Sequence, residues 1–286
     1  MSENNLVTET IHEKKKMIIY PHFNLGDILN LSGAIRYFSK TYKVTLVIVK
    51  STMDNVKSFF DDINDITYHT IETPVFYNEN KEFYDYINSK YDEVKFVGIH
   101  LDKNKKLIEP LLNAPFSFYE DLDLPFSIYK NSYVDKSYKN KDEFKLHGID
   151  FVFISTDSPN HVHQLKLNDE MLIICPDKNL YDSKHPNYYV ANVFVNLPFL
   201  QYKTIMECAA KLYLIDHDFF NLATKCDTFN ATELICYCRN GNKYDKLDKR
   251  FKYEPTKTSF NIGIGEDGMV NGVNRALLLN RLAKRR

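Results

Sequence analysis

Two short apolar runs near the start of the chain, "MIIY" (Met17 to Tyr20) and "KVTLVIVK" (Lys43 to Lys50), flank a stretch in which Ile28, Leu31, Ile35 and Phe38 recur at helical spacing. Few architectures accept that order. It predicts a strand, a helix with one apolar face and a second strand, at about the length of a parallel βαβ unit. The connection into the helix reads "PHFNLGD". A Gly-Asp pair alone is ordinary turn chemistry. Between a strand and the start of a helix it lies where α/β proteins bind anions and carry out reactions, so Asn24, Gly26 and Asp27 are candidates, with Asp27 expected to cap the helix.

The α/β rhythm continues through "SFFDDI", the strand "DITYHTI", the helix "NKEFYDYINSKY" and the strand "VKFVGIH". It breaks at "NAPFSFYEDLDLPFSIYKNSYVDKSYKNKDEFKLHGID", which reads as a crossover, and resumes with "DFVFIST", "EMLIICP", "VFVNLP", a helix from about Tyr202 to Leu212, "LYLID" and "ELICYCRNG". The expected plan is a disordered leader over 1–16, an α/β half with linker over 17–145, a second α/β half over 146–250, and a loop and helix over 251–286 that pack back on the first half. Two α/β halves imply a cleft between them. One edge of it is "NLGD"; the other is "IDHDFFNLA", Ile215 to Ala223.

Composition excludes several classes. With 37 basic and 38 acidic residues in 286, the chain lacks the positive field of a nucleic-acid protein. No apolar run approaches the roughly 20 residues of a membrane span, and "MSENNLVTETIHEKKK" has no signal-peptide core. Cys175, Cys208, Cys226, Cys236 and Cys238 show neither a paired pattern nor zinc spacing, so reduced thiols in a cytoplasmic protein are expected. The lack of Trp beside 20 Tyr and 20 Phe is read as AT-rich coding.

"NLGDILNLSGAIRYFSKTY" resembles the Gly-Asp loop and first helix of GT-B glycosyltransferases of the heptosyltransferase-like, family 9-like group. "FLQYKTIMECAAKLYLIDHDFFNLA" is similar to their second-domain helix, strand and nucleotide-side loop, with "IICPDKNLYD" and "FVNLP" between them in the expected order. The resemblance runs from about Met17 to Gly241 and is weakest over 72–141. It implies two Rossmann-like domains facing across a cleft. It also implies transfer of a sugar from a nucleotide diphosphate donor to a carbohydrate or glycan acceptor, with inversion, the nucleotide sugar as co-substrate and no divalent metal.

On that resemblance Asp27 is the general base that takes the proton of the attacking hydroxyl, a role suited to a carboxylate at the positive end of a helix. Asn24 and Gly26 shape the acceptor and phosphate loop, Gly26 because a Cβ would obstruct the approach of a phosphate. The donor side takes Asp216, His217 and Asp218, with Glu207 where related folds hold the ribose hydroxyls. Ser155 and Thr156 end a strand at the same edge as hydroxyl donors, and Lys178 is the nearest cation for the diphosphate. Asp218 departs from the pattern, since a small hydroxyl residue would receive a diphosphate better than a second carboxylate.

Three alternatives follow. The chain is a degenerate binding or scaffold protein of the same shape; a metal-dependent transferase that chelates through Asp216-His217-Asp218; or another transferase with Gly-Asp loops, such as a pyruvyl transferase. Asp121-Leu-Asp123 repeats the D-x-D pattern and shows how cheap it is. Gly263-Ile-Gly265-Glu-Asp-Gly268 has too little chain after it for a dinucleotide site. His161 and His163 lack partners at metal spacing. The basic helix "NRALLLNRLAKRR" is expected to pack on the first half, with weak peripheral membrane contact as the other option.

Overall fold

The structure, a computed structural model, describes residues 13–21, 24–73, 81–98, 115–131, 150–155, 172–176, 192–238 and 247–255. Two separate sheets form, each with only parallel pairings. The first holds β1 (Lys15–Tyr20), β2 (Tyr42–Val49), β3 (Ile66–Ile71) and β4 (Glu93–Phe96) in the order β3-β2-β1-β4. The second holds β5 (Phe151–Ile154), β6 (Leu172–Ile174), β7 (Lys211–Ile215), β8 (Glu233–Cys238) and β9 (Lys252–Pro255) in the order β6-β5-β7-β8-β9. Continuous apolar runs suit such strands, because helices cover both faces of a parallel sheet and leave no side for water.

In each sheet the connections leave a central strand in opposite directions. The reversal falls between β1 and β4 in the first sheet and between β5 and β7 in the second. Crevices open at these switch points, beyond the carboxyl ends of the strands. The start of α1 after β1 therefore comes to one crevice, and Ser155 after β5 and Asp216 after β7 come to the other.

Seven helices are described: α1 (Leu25–Asn30), α2 (Ser32–Ser39), α3 (Met53–Phe59), α4 (Lys81–Lys90), α5 (Phe116–Asp121), α6 (Gln201–Cys208) and α7 (Asp218–Ala223). The first predicted helix is divided at Leu31, yet Ile28, Leu31, Ile35 and Phe38 are all buried as its period requires. Asp27 is not its cap: Asn24 holds that position in extended geometry, without a side-chain cap bond, and Asp27 lies within the first turn. "VFVNLP" is not a strand. Its described residues form turns, with Asn196 at φ 57° in the left-handed region and Val193 exposed. The predicted helix from Tyr202 ends at Cys208, because β7 already begins at Lys211.

The largest correction concerns the crossover. Its first part is not a linker: α5 and a 3-10 segment, Phe126–Asn131, drive Phe118, Tyr119, Leu122 and Tyr129 into the interior. Gly33 on α2 admits that segment, since a Cβ there would collide with the carbonyl oxygen of Ile128 and stand 3.0 Å from the Tyr119 hydroxyl.

Alternation along β1 divides the core. Ile18 and Tyr20 turn to a small cluster under α4 with Val47, Tyr84 and Ile87. Met17 and Ile19 turn the other way, into one large cluster that also contains Ile28, Leu31, Phe59, Phe153, Phe199, Leu214 and Phe220. Both sheets thus contribute to a single apolar body. Across the junction the Phe59 and Phe199 rings lie 6.0 Å apart, and the Phe199 amide donates to Asn55 Oδ1 at 3.0 Å.

Candidate functional site

Packing between α1 and α7 brings the two strand edges together. The amide of Gly26 donates to Asp218 Oδ1 at 2.7 Å, across 192 residues of sequence. At the far ends of the same helices the Tyr129 hydroxyl lies 2.9 Å from Thr224 Oγ1 and donates to Asn30 Oδ1 at 3.3 Å. Start therefore meets start and end meets end, so the helices lie side by side in the same direction.

That approach depends on Gly26. A Cβ there would fall 2.6 Å from Asn221 Nδ2, 2.6 Å from Asp218 Oδ1 and 2.8 Å from Asp218 Cα. Glycine was expected because a phosphate needs the space; in the structure the start of α7 fills it. Two parallel helices also place two positive ends together, which a carboxylate between them relieves. Asp218 supplies that carboxylate. Just past the other end of α7 Arg250 donates to the carbonyls of Cys226 at 2.6 Å and Asp227 at 3.1 Å, while Asp248 holds its guanidinium in a fork at 2.6 to 3.1 Å.

Of the other predicted residues, Asn24, Asp27, Ser155, Asp216 and His217 follow the strand ends, Glu207 lies in α6, and the rest are outside the described residues. Asp27 is half-buried, next in sequence to the Gly26 amide that Asp218 holds. Ser155 is buried directly after β5, and its amide donates to the Tyr213 carbonyl at 3.1 Å. Asp216 directly follows β7 at 5% exposure, its amide donating to the Tyr237 carbonyl at 3.1 Å. His217 takes the cap position of α7: its carbonyl receives the Asn221 amide at 3.0 Å, and its Nδ1 lies 3.6 Å from Asp218 Oδ2.

Glu207 is turned into α6, where it pairs with Lys203 at 2.7 Å with both side chains buried. Burial pulls the Lys203 ammonium toward losing its proton, and the hydrogen bond it donates to Glu207 leads the opposing effects that leave its pKa above the ordinary value. Thr156, Lys178, His161, His163, Gly263 to Gly268 and the C-terminal basic helix lie outside the described residues, as does the leader up to residue 12; the leader expected over 1–16 ends sooner, since Lys15 and Lys16 open β1, and the segment expected to begin a loop at 251 instead adds β9 to the second sheet.

Three carboxylates of the two D-x-D pairs take protein partners. Asp218 Oδ1 accepts from Gly26, Asp121 accepts the Gly98 amide at 2.9 Å, and Asp123 pairs with Lys95 at 3.2 Å. Among the described residues no group of three or more His, Cys, Asp or Glu side chains could hold a metal ion, and no helix is long and apolar enough to cross a membrane. Sequence reading missed Asn30, Tyr129, Asn221 and Arg250. Asn30 and Asn221 each interrupt an apolar helix stretch and are buried there, which was the available signal.

The sequence matches no protein-family model and no curated protein. The structure is similar to that of the dodecameric, iron-containing heptosyltransferase TibC in complex with ADP-D-β-D-heptose, at TM-score 0.50 and 10% identity, over 95% of this chain and 77% of that one. Two further likenesses are a family 9 glycosyl transferase from Veillonella parvula, at TM-score 0.43 and 10% identity over 91% and 92% of the two chains, and E. coli heptosyltransferase WaaC with ADP-2-deoxy-2-fluoro heptose, at TM-score 0.41 and 10% identity over 83% and 92%. The two parallel sheets and the TibC likeness make the fold GT-B-like.

Proposed function

We propose that the chain is a glycosyltransferase that moves a sugar from a nucleotide diphosphate donor to a carbohydrate or glycan acceptor, with inversion and without a divalent metal. One observation supports the reading: the start of α1, which follows β1 and carries Asp27, packs against the start of α7, which follows β7 of the second sheet. A donor bound by the second sheet would then present its anomeric carbon to a base on the first. Asp27 takes the proton of the acceptor hydroxyl as its oxygen attacks that carbon. The new C–O bond forms while the bond to the diphosphate breaks, and the nucleoside diphosphate leaves with the electron pair. Ser155 and the α7 start, with Thr156 and Lys178, are the proposed donor side.

A second reading, a protein of this fold that binds without turnover, is favoured by Asp218, whose carboxylate stands at the edge where a diphosphate would arrive. Thermal unfolding with UDP, GDP and ADP, followed by turnover assays on a panel of nucleotide sugars with and without chelator, separates the two. Stabilisation by one nucleotide and chelator-resistant transfer are expected. Neither stabilisation nor transfer with any donor would leave the second reading.

A further inference from the structure

We infer that Asp218 is a positioning residue: by holding the Gly26 amide it sets Asp27 from the opposite half of the molecule, so the base is placed only while the two halves are together. The role in transfer rests on the glycosyltransferase reading; the latch itself does not. Three observations support it. The 2.7 Å bond ends on the residue directly before Asp27. The space above Gly26 is closed by Asp218 and Asn221 alone among the nearest atoms, so this approach cannot relax sideways without moving α7. The Asn30–Tyr129–Thr224 contacts at the other end fix the same pair of helices, leaving the Gly26 end as the one next to the base.

A carboxylate accepting a backbone amide is a charge-assisted bond, stronger than a neutral one. This explains why a carboxylate stands where a donor diphosphate would prefer a hydroxyl. It holds the acceptor loop at some cost to donor affinity. The signature is a split between binding and rate. Asp218→Ser removes like-charge repulsion but is too short to reach the Gly26 amide, so donor KM is expected to stay level or fall. With the base displaced, kcat is expected to drop roughly ten- to a hundred-fold. Asp218→Asn keeps an acceptor oxygen at the same length and is expected to recover most of kcat.

The test has two arms on the full chain. Amide exchange at Gly26, read by NMR, needs no substrate: exchange is expected to quicken about tenfold in Asp218→Ser and to return toward wild type in Asp218→Asn. Unchanged Gly26 exchange in Asp218→Ser overturns the latch. If that variant does not fold, Gly26→Ala, which forces α7 away from the other side, serves in its place and must raise exchange at Asp27 by a similar factor. Steady-state kinetics form the second arm. An altered exchange with unchanged kcat overturns the positioning role. If exchange responds as expected but wild type transfers no sugar from any donor, the latch stands and the glycosyltransferase reading falls.

Discussion

Asp27 and Gly26 show how far single residues were legible. The sequence marked both, because a Gly-Asp pair between strand and helix is informative by its position. It did not indicate the protein neighbours of Gly26: the crowding atoms belong to Asp218 and Asn221, and no local pattern announces a partner 192 residues away. For Asp27 the expected test is Asp27→Asn, which keeps size and hydrogen bonding but cannot accept a proton. Transfer should fall on the order of 10²- to 10⁴-fold with donor binding nearly intact, measured as initial rates beside calorimetric titration of the nucleotide. An unchanged rate would remove its role as base.

His69 gives a second residue-scale test, independent of function. Burial beside Phe83, whose ring lies 5.3 Å away, holds the imidazole below its ordinary pKa of 6.5. A depressed histidine takes its proton more readily in the unfolded chain. Stability is therefore full above about pH 7 and is lost as pH falls through 6.5 toward the folded value. Urea unfolding between pH 7.5 and 5 should show this slope, and His69→Gln should flatten it. An identical slope in the variant would assign the effect to other groups.

At the scale of elements, periodicity performed well where a run was long and poorly where packing decided. β1, β2 and α4 appear close to their predicted places. "VFVNLP" failed because a short apolar run is satisfied by turning its buried residues, Phe194 among them, toward a neighbour without forming a ladder. The segment over 115–131 failed for the opposite reason. Its prolines and charges look like a linker, while its aromatic residues enter the core at α2. Gly33 tests that contact. Replacing a helical glycine by alanine ordinarily gains about 1 kcal/mol. Here the added methyl meets the Ile128 backbone, which cannot swing aside as a side chain would, so Gly33→Ala should instead cost about 1–3 kcal/mol in chemical denaturation. A gain in stability would show that the 3-10 segment yields freely.

For the whole molecule, the two-half plan was legible from the alternation of runs, and two sheets in place of one agree with it. The junction was not legible. The described residues show one apolar cluster to which both sheets contribute. Parts that share a core lose it together. Calorimetry should record a single transition with equal calorimetric and van't Hoff enthalpies. Two resolved transitions would show that the halves hold themselves up separately.

The parallel seating of α1 against α7 also bears on how the chain is made. A ribosome releases the first sheet and α1 long before residue 218 exists. Until then the face of α1 that will meet α7 has only water or a chaperone beside it, and the Gly26 amide has no carboxylate to bind. The nascent first half thus leaves synthesis with an open apolar seam, and the second half closes that seam as it folds. Translation pauses placed before α7 should then lengthen chaperone occupancy on the nascent chain, whereas pauses placed after it should not.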